Sequence, residues 1–205
     1  MNDAWLTEFS SQRIVALHDA AFDQVDWPIR DAQPEADGIW KWVKENHRQN
    51  HLLWDEEDQA RRRDVPAETI MGNKRAIDGF NQKRNDAVER IDEMLLIALA
   101  GVSRGGGARL NSETAGSMVD RLSILALKVR AMTAQTLRTD ADSSHVDACR
   151  GKLAKLVEQR SDLASCLDEL IQGAEAGRVY FKIYRQFKMY NDPTLNPALY
   201  TNKKS

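Results

Sequence analysis

Apolar residues recur every three or four positions along most of the chain, which is the spacing of helices that bury one face. No run of alternating apolar and polar residues, the pattern of a half-buried strand, stands out. The sequence therefore predicts an all-α protein, a helical bundle of about five main helices.

Prolines, glycines and capping residues divide the first half of this pattern into three helices. The predicted helices cover residues 3–24, a second stretch from a cap at Asp37 to about Arg63, and a third from about Pro66 to Leu99. The third is expected to loosen near Gly72. The glycine-rich segment 101–107 then ends it, and a flexible connection is favoured there over a phosphate loop, because no Gly-Lys-Ser/Thr follows.

The second half of the chain predicts two more helices and a tail. Asn111 or Ser112 caps a helix that ends near Leu137, and Ser143 or Ser144 caps the next. Residues 179–205 are aromatic and basic, with the spacing of a short helix at Phe181, Tyr184 and Phe187. We expect one domain over residues 1–205, formed by a bundle (1–178) with this tail packed over it (179–205).

The third helix carries an unusual polar stripe directly beside its apolar face. The stripe steps by three, four and seven positions along Asp78, Asn81, Asn85 and Asp92. Asparagine costs roughly 0.6 kcal/mol relative to alanine inside a helix, so two of them need a reason. A solvated face with ion pairs explains the charges, whereas a polar site inside the bundle also explains the amides.

The second helix has a matching polar stripe with the same stepping. It consists of His47, Asn50, Trp54, Glu57 and Arg61. Two such stripes can face each other across a polar cavity. His47 and His51 lie one turn apart, which suits either a transition-metal pair or two histidines satisfied within a cavity.

Carboxylates from two helices suit a hard cation, because Mg²⁺ or Mn²⁺ prefers oxygen ligands and keeps waters that contact a phosphate. The predicted metal ligands are Glu57, Asp58, Glu89 and Asp92. The predicted substrate-binding residues are His47, Asn50, Arg61, Asp78, Asn81, Asn85, Asp120 and Arg121. For the adjacent Asp120 and Arg121, a buried arginine paired with an acid is an equally good interpretation. Gly116, one turn earlier, would let a helix or ligand approach closely.

The charge balance and the hydropathy of the chain argue against two classes of partner, nucleic acids and membranes. Lys and Arg number 29 against 31 Asp and Glu, which argues against a polynucleotide partner. No stretch approaches the roughly 18 apolar residues of a membrane span, and the expected location is the cytoplasm. Cys149 and Cys166 fall in one predicted helix about 25 Å apart at ~1.5 Å per residue, so they cannot pair with each other.

Five strings together resemble an uncharacterised bacterial family known as a domain of unknown function: NHRQNHLLWDEEDQAR, KRAIDGFNQKRNDAVERID, NSETAGSMVDRLSILALKV, VEQRSDLASCLDEL and YRQFKMYNDPTLNPALY. The resemblance implies a helical protein of about this size, often found near genes for cell-envelope glycosyl transfer, and brings no activity with it. Separately, the E-x-x-D spacing of Glu89 and Asp92 is similar to all-α nucleotide pyrophosphohydrolases. Those enzymes have E-x-x-E on the preceding helix, where this chain has only Asp55 and Asp58 at that spacing.

Three functions follow as hypotheses. The favoured one is a metal-dependent hydrolase or transferase that acts on a phosphorylated small molecule, a nucleotide or nucleotide-sugar. The alternative is a non-catalytic helical interaction module that assists cell-envelope glycosyl transfer. A nucleic-acid accessory protein that uses the basic aromatic tail ranks last. Pairing of two copies through an apolar helix face stays open.

Overall fold

A computed structural model describes residues 5–29, 38–185 and 193–197, and confirms the all-α architecture. Within these residues the chain forms a short 3-10 helix, Leu6–Glu8, and five α-helices. In chain order the α-helices are α1 (Ser11–Ala21), α2 (Ile39–Ala60), α3 (Ala67–Ala98), α4 (Ala115–Thr136) and α5 (Ser143–Glu175).

Helix bounds differ from the sequence predictions where a cap was assigned to the wrong residue. Helix α4 is capped by Thr114, whose hydroxyl accepts from the backbone N–H of Ser117, and not by Asn111 or Ser112. Helix α5 begins one residue earlier than predicted, because the Asp142 carboxylate accepts from the N–H of His145. The predicted cap Asp37 lies outside the described residues.

The first predicted helix is broken in the structure, and the third is more continuous than predicted. The predicted helix 3–24 is two pieces in its described part, since Phe9 is extended and α1 starts only after the Ser10 cap. By contrast, α3 runs without interruption through Gly72, where the predicted loosening does not occur. Its 32 residues are stabilised by packing against α2 along one face.

The end of the chain contradicts the predicted short helix in its described part. After α5, Gly177 takes a left-handed conformation (φ +66°) and Val179–Tyr180 forms a strand, β2, parallel to β1 (Arg109–Leu110). This two-residue pair is too short to produce an alternating pattern in the sequence, and it leaves the predicted all-α class unchanged. Phe181 follows outside any helix or strand and is buried, whereas Phe187 lies outside the described residues.

The helices pack as two extensive pairs, α2 with α3 and α4 with α5, and α1 lies against α4, α5 and α2. Their apolar faces form one core that includes Ile14, Val43, Ile91, Leu122 and Leu167, each fully buried. The backbone N–H and hydroxyl of Ser11 both donate to the Asp168 carboxylate, which fixes the start of α1 against α5. This arrangement brings α2, α3 and α4 together along one side of the molecule.

None of the described helices is both long and apolar enough to cross a membrane. The two cysteines lie on α5 and are unpaired, as predicted: Cys149 is buried and Cys166 is exposed.

Candidate functional site

A cavity of about 370 Å³ opens where α2, α3 and α4 meet. Its volume lies within the range of small-molecule sites, about 300–1,000 Å³. Its polar and aromatic lining consists of Asn50, Trp54, Glu57, Asp58, Arg61, Asn81 and Arg84. Leu53, Ile124 and Leu127 complete it. We call this cavity the pocket.

The helical period explains why these residues share one space. On α2 and its C-terminal cap residue Arg61, positions 50, 54, 57 and 61 step by four, three and four, so their side chains lie above one another on a single face. Asn81 and Arg84 are likewise three apart on α3, and Ile124 and Leu127 on α4. The two predicted polar stripes thus meet in the pocket through all of the second stripe except His47 and, from the third helix, through Asn81.

Two guanidinium groups give the pocket its positive charge. Arg84 is only 26% exposed; it donates to the Asn85 amide oxygen at 3.0 Å, and its Nε, which is buried, has no hydrogen-bond partner among the described residues. Arg61 at the rim is 67% exposed and lies 3.1 Å from the Glu57 carboxylate. A half-buried guanidinium that lines a cavity beside a second arginine is well suited to bind a phosphate or carboxylate.

A buried hydrogen-bond network forms the floor of the pocket. The amide nitrogens of Asn46 and Asn50 both donate to Oδ1 of Asp120 at 2.8 Å, and Asn50 also donates to the Ser123 hydroxyl at 3.0 Å. The Asp120 carboxylate lies 3.9 Å from Nε of Arg84. The network therefore joins α2 to α4 and places a negative charge behind the Arg84 guanidinium.

A cluster of histidines lies behind this floor. The rings of His18 on α1 and His47 on α2 stack with centroids 4.5 Å apart, and Trp27 stacks on His47 at 5.6 Å. Both histidines are fully buried. Burial lowers the pKa of His18 well below its usual value, and burial together with the charges of His51, Arg160 and Arg130 lowers the pKa of His47 to about 3. These histidines are neutral at physiological pH.

The four predicted metal ligands do not come together. Glu57 and Asp58 line the pocket, whereas Glu89 lines a separate charged cavity with Trp42 and Lys83. Asp92 is buried beneath the start of α4. Across the described ranges, no group of three or more His, Cys, Asp or Glu side chains is arranged to hold a metal ion.

Asp92 has a structural contact that its spacing did not reveal. Its Oδ1 accepts from the N–H of Gly116 at 2.6 Å, near the positive end of the α4 dipole. Burial raises its pKa to about 6, although the hydrogen bonds from Thr114 and Gly116 favour the charged form. The close approach foreseen at Gly116 is made by α3: a Cβ there would lie 2.5 Å from the carbonyl oxygen of Val88.

The remaining predicted residues are distributed unevenly. Asn85 contacts Arg84 just outside the pocket, and Asp120 lies in its floor. Asp78 is exposed outside the pocket. Arg121 is also exposed and pairs with both carboxylate oxygens of Glu113 at 2.8 Å. An ion pair therefore exists, but it lies at the surface and is not the buried pair that the interpretation expected.

Sequence reasoning missed three contributors to this region: Arg84, Asn46 and Ser123. Arg84 was not among the predicted binding residues, although its position three residues after Asn81 was a usable signal. Asn46 and Ser123 contact residues more than 70 positions away, and no local pattern reports such a contact.

The chain belongs to a family described as a protein of unknown function (DUF4254), whose model matches residues 40–183 of 205. This match begins within α2 and includes the whole lining of the pocket. No curated protein and no solved structure matches the chain. The similarity to nucleotide pyrophosphohydrolases stays a prediction.

Proposed function

We propose that the pocket binds a phosphorylated small molecule, a nucleotide or nucleotide-sugar, and that the protein is a metal-dependent enzyme acting on it. The observation that carries this proposal is the half-buried guanidinium of Arg84, which lines the same cavity as Arg61 and the Trp54 indole. Guanidinium groups bind phosphate oxygens in a bidentate manner, and an indole offers a flat face to a base or sugar ring.

Two carboxylates in the pocket would repel a phosphorylated ligand unless a metal ion bound to both the carboxylates and the phosphate. Two carboxylates, Glu57 and Asp58, are too few for a cage made by the protein alone, but Mg²⁺ is commonly held by one or two carboxylates together with substrate phosphates and waters. An ion bound in this way would lower the pKa of a coordinated water. In the proposal, Arg84 and Arg61 orient the phosphate, and Asn81 offers its amide group to the remainder of the ligand. Asn50 lines the pocket while its amide nitrogen holds the floor through Asp120 and Ser123.

Calorimetric titration with nucleoside diphosphates and nucleotide-sugars, with and without Mg²⁺ or Mn²⁺, tests the proposal. We expect binding that requires the metal, and a loss of at least about tenfold in affinity for Arg84→Ala, because hydrogen bonds to charged groups are involved. Arg121→Ala is the matched control, since Arg121 is a nearby arginine that pairs with Glu113 outside the pocket.

Two results would contradict the proposal. One is no binding of any ligand in the panel at millimolar concentration with either metal. The other is an equal effect of Arg84→Ala and Arg121→Ala, which would place the binding outside the pocket. Turnover is followed by phosphate release, and binding without turnover of any ligand would remove the enzymatic half of the proposal.

A non-catalytic interaction module, assisting cell-envelope glycosyl transfer, is the second candidate. It is favoured by the network of Asn46, Asn50 and Asp120, because a buried network of this kind can fix the register of packed helices without any ligand. Replacing Asn81 and Asn85 together by leucine distinguishes the two functions. A module should keep its fold and its partner binding, whereas the proposed ligand site should lose affinity.

A further inference from the structure

The two stacked histidines behind the pocket differ in what their ring nitrogens contact. Nδ1 of His47 lies 2.8 Å from the Ser123 hydroxyl, and that contact is fully buried. Neither ring nitrogen of His18 has a hydrogen-bond partner among the described residues. His18 therefore packs against the cluster, while His47 both packs and bonds to α4.

From His47 a continuous series of polar contacts leads to the pocket. The Ser123 hydroxyl accepts from the Asn50 amide at 3.0 Å, and the same amide nitrogen donates to Asp120 at 2.8 Å. Oδ1 of Asp120 lies 3.9 Å from Nε of Arg84. Ser123, Asn50 and Asp120 thus connect the buried imidazole to the Arg84 guanidinium: hydrogen bonds join the first four residues, and an ion pair at 3.9 Å joins Asp120 to Arg84.

We infer that His47 is a positioning residue of the pocket: its bond to Ser123 sets the Asn50 amide and the Asp120 carboxylate, which orient the Arg84 guanidinium. The role in ligand binding rests on the proposed function. The orientation of Arg84 in the free protein does not.

The His47 ring is held in one orientation by its neighbours. His18 covers one face with an interplanar angle of 26°, Trp27 stacks at 21°, and the Phe22 ring meets His47 at its edge with centroids 5.1 Å apart. A side chain packed this closely has little rotational freedom. Nδ1 is therefore aimed at Ser123 before any ligand arrives, as a supporting contact for a binding site requires.

The charges around the ring keep this contact constant with pH. The groups that face the cluster are His18 on α1, His51 and Asp55 on α2, Arg130 on α4 and Arg160 on α5. Burial and the cations among them lower the pKa of His47 to about 3. His47 stays neutral between pH 5 and pH 8, so it positions and does not exchange protons with the pocket in that range.

The experiment compares four variants in the full chain: Ser123→Ala, His47→Leu, His47→Asn and His18→Leu. The first readout needs no ligand and is the NMR signal of the Arg84 side-chain Nε–H, assigned with Arg84→Lys. The second is the affinity for inorganic pyrophosphate with Mg²⁺. Urea unfolding confirms that each variant is folded, and Ser123→Ala removes a single hydroxyl.

We expect Ser123→Ala and His47→Leu to move the Arg84 signal and to weaken pyrophosphate binding about three- to tenfold, the effect of one net hydrogen bond. His47→Asn should restore both readouts, since its amide can occupy the place of Nδ1. His18→Leu should change neither, because His18 has no bond to Ser123.

The inference is wrong if Ser123→Ala and His47→Leu leave the Arg84 signal in place, or if His18→Leu moves it equally. A different outcome separates it from the proposed function. If the wild-type protein does not bind pyrophosphate but the Arg84 signal moves only in the Ser123 and His47 variants, the positioning of Arg84 is supported and the phosphate site is not.

Discussion

The polar side chains at the interior of this bundle and those at the rim of its pocket are held in different ways. In the interior, Asn50 and Asp92 bond to groups on α4 that are distant in sequence. At the rim, Arg61 contacts the backbone carbonyl and carboxylate of Glu57, one turn earlier on its own helix. The interior contacts join helices, whereas the rim contacts leave their charges available to a ligand. Interior substitutions should therefore change stability, and rim substitutions should change binding.

The largest effect is expected where α3 and α4 approach most closely. Gly116→Ala should lower the free energy of unfolding by about 3 kcal/mol, because its Cβ would lie 2.5 Å from the carbonyl oxygen of Val88 and 2.9 Å from Cγ of Asp92. Gly79→Ala is the matched control within a helix, with open space around the added methyl group, and should stabilise by about 0.5–1 kcal/mol. Urea unfolding measures both; equal effects would show that the close approach is not real.

The buried histidines should make the free energy of unfolding fall as the solution becomes acidic. The unfolded chain protonates histidine near pH 6.5, while folded His47 has a pKa of about 3, so the unfolded state binds more protons below pH 6.5. Stability should be full above pH 6.5 and fall by about 2 kcal/mol from His47 alone by pH 5, with His18 acting in the same direction. His47→Asn should flatten this dependence. Because Asp92 acts in the opposite direction over this range, the measurement is made in an Asp92→Asn background. There, an unchanged urea midpoint between pH 7 and pH 5 would contradict the burial of both rings.

Contacts between helices in the interior could not be predicted from the sequence, whereas the spacing of residues along one helix could. The three-and-four stepping of α2 and α3 depends on local geometry alone, so the sequence was enough to place Asn50, Glu57, Asp58, Arg61 and Asn81 around one cavity. Whether a carboxylate faces a ligand or a backbone N–H depends on which helix lies opposite. That is why Glu89 and Asp92 were grouped with the pocket acids although each lies elsewhere.

Asp92 allows the interior to be tested with a nearly isosteric change. Its folded pKa of about 6 lies above the ordinary value of 3.8, so the unfolded state releases its proton first and stability falls as pH rises from about 4 to 6. Asp92→Asn keeps an acceptor for the Gly116 N–H without a buried charge, and should raise the free energy of unfolding by about 1 kcal/mol at pH 7.5. At pH 4 the gain should disappear. Asp92→Ala, which leaves that N–H without its acceptor, should destabilise at both pH values.

The smallest effect on stability is expected at the rim, from Glu57→Gln. Glu57 and Arg61 form an i,i+4 pair with exposures of 36% and 67%, and such pairs contribute about 0.5 kcal/mol or less because water screens both charges. The carboxylate is nevertheless half of the acid pair available to a shared metal ion, so metal-dependent pyrophosphate binding should weaken far more than folding does. Calorimetry and urea unfolding of the same sample measure the two effects. The prediction is contradicted if Glu57→Gln lowers the free energy of unfolding by more than about 1 kcal/mol and leaves binding unchanged. Glu57 would then be a structural residue like Asp92, and the rim would not differ from the interior.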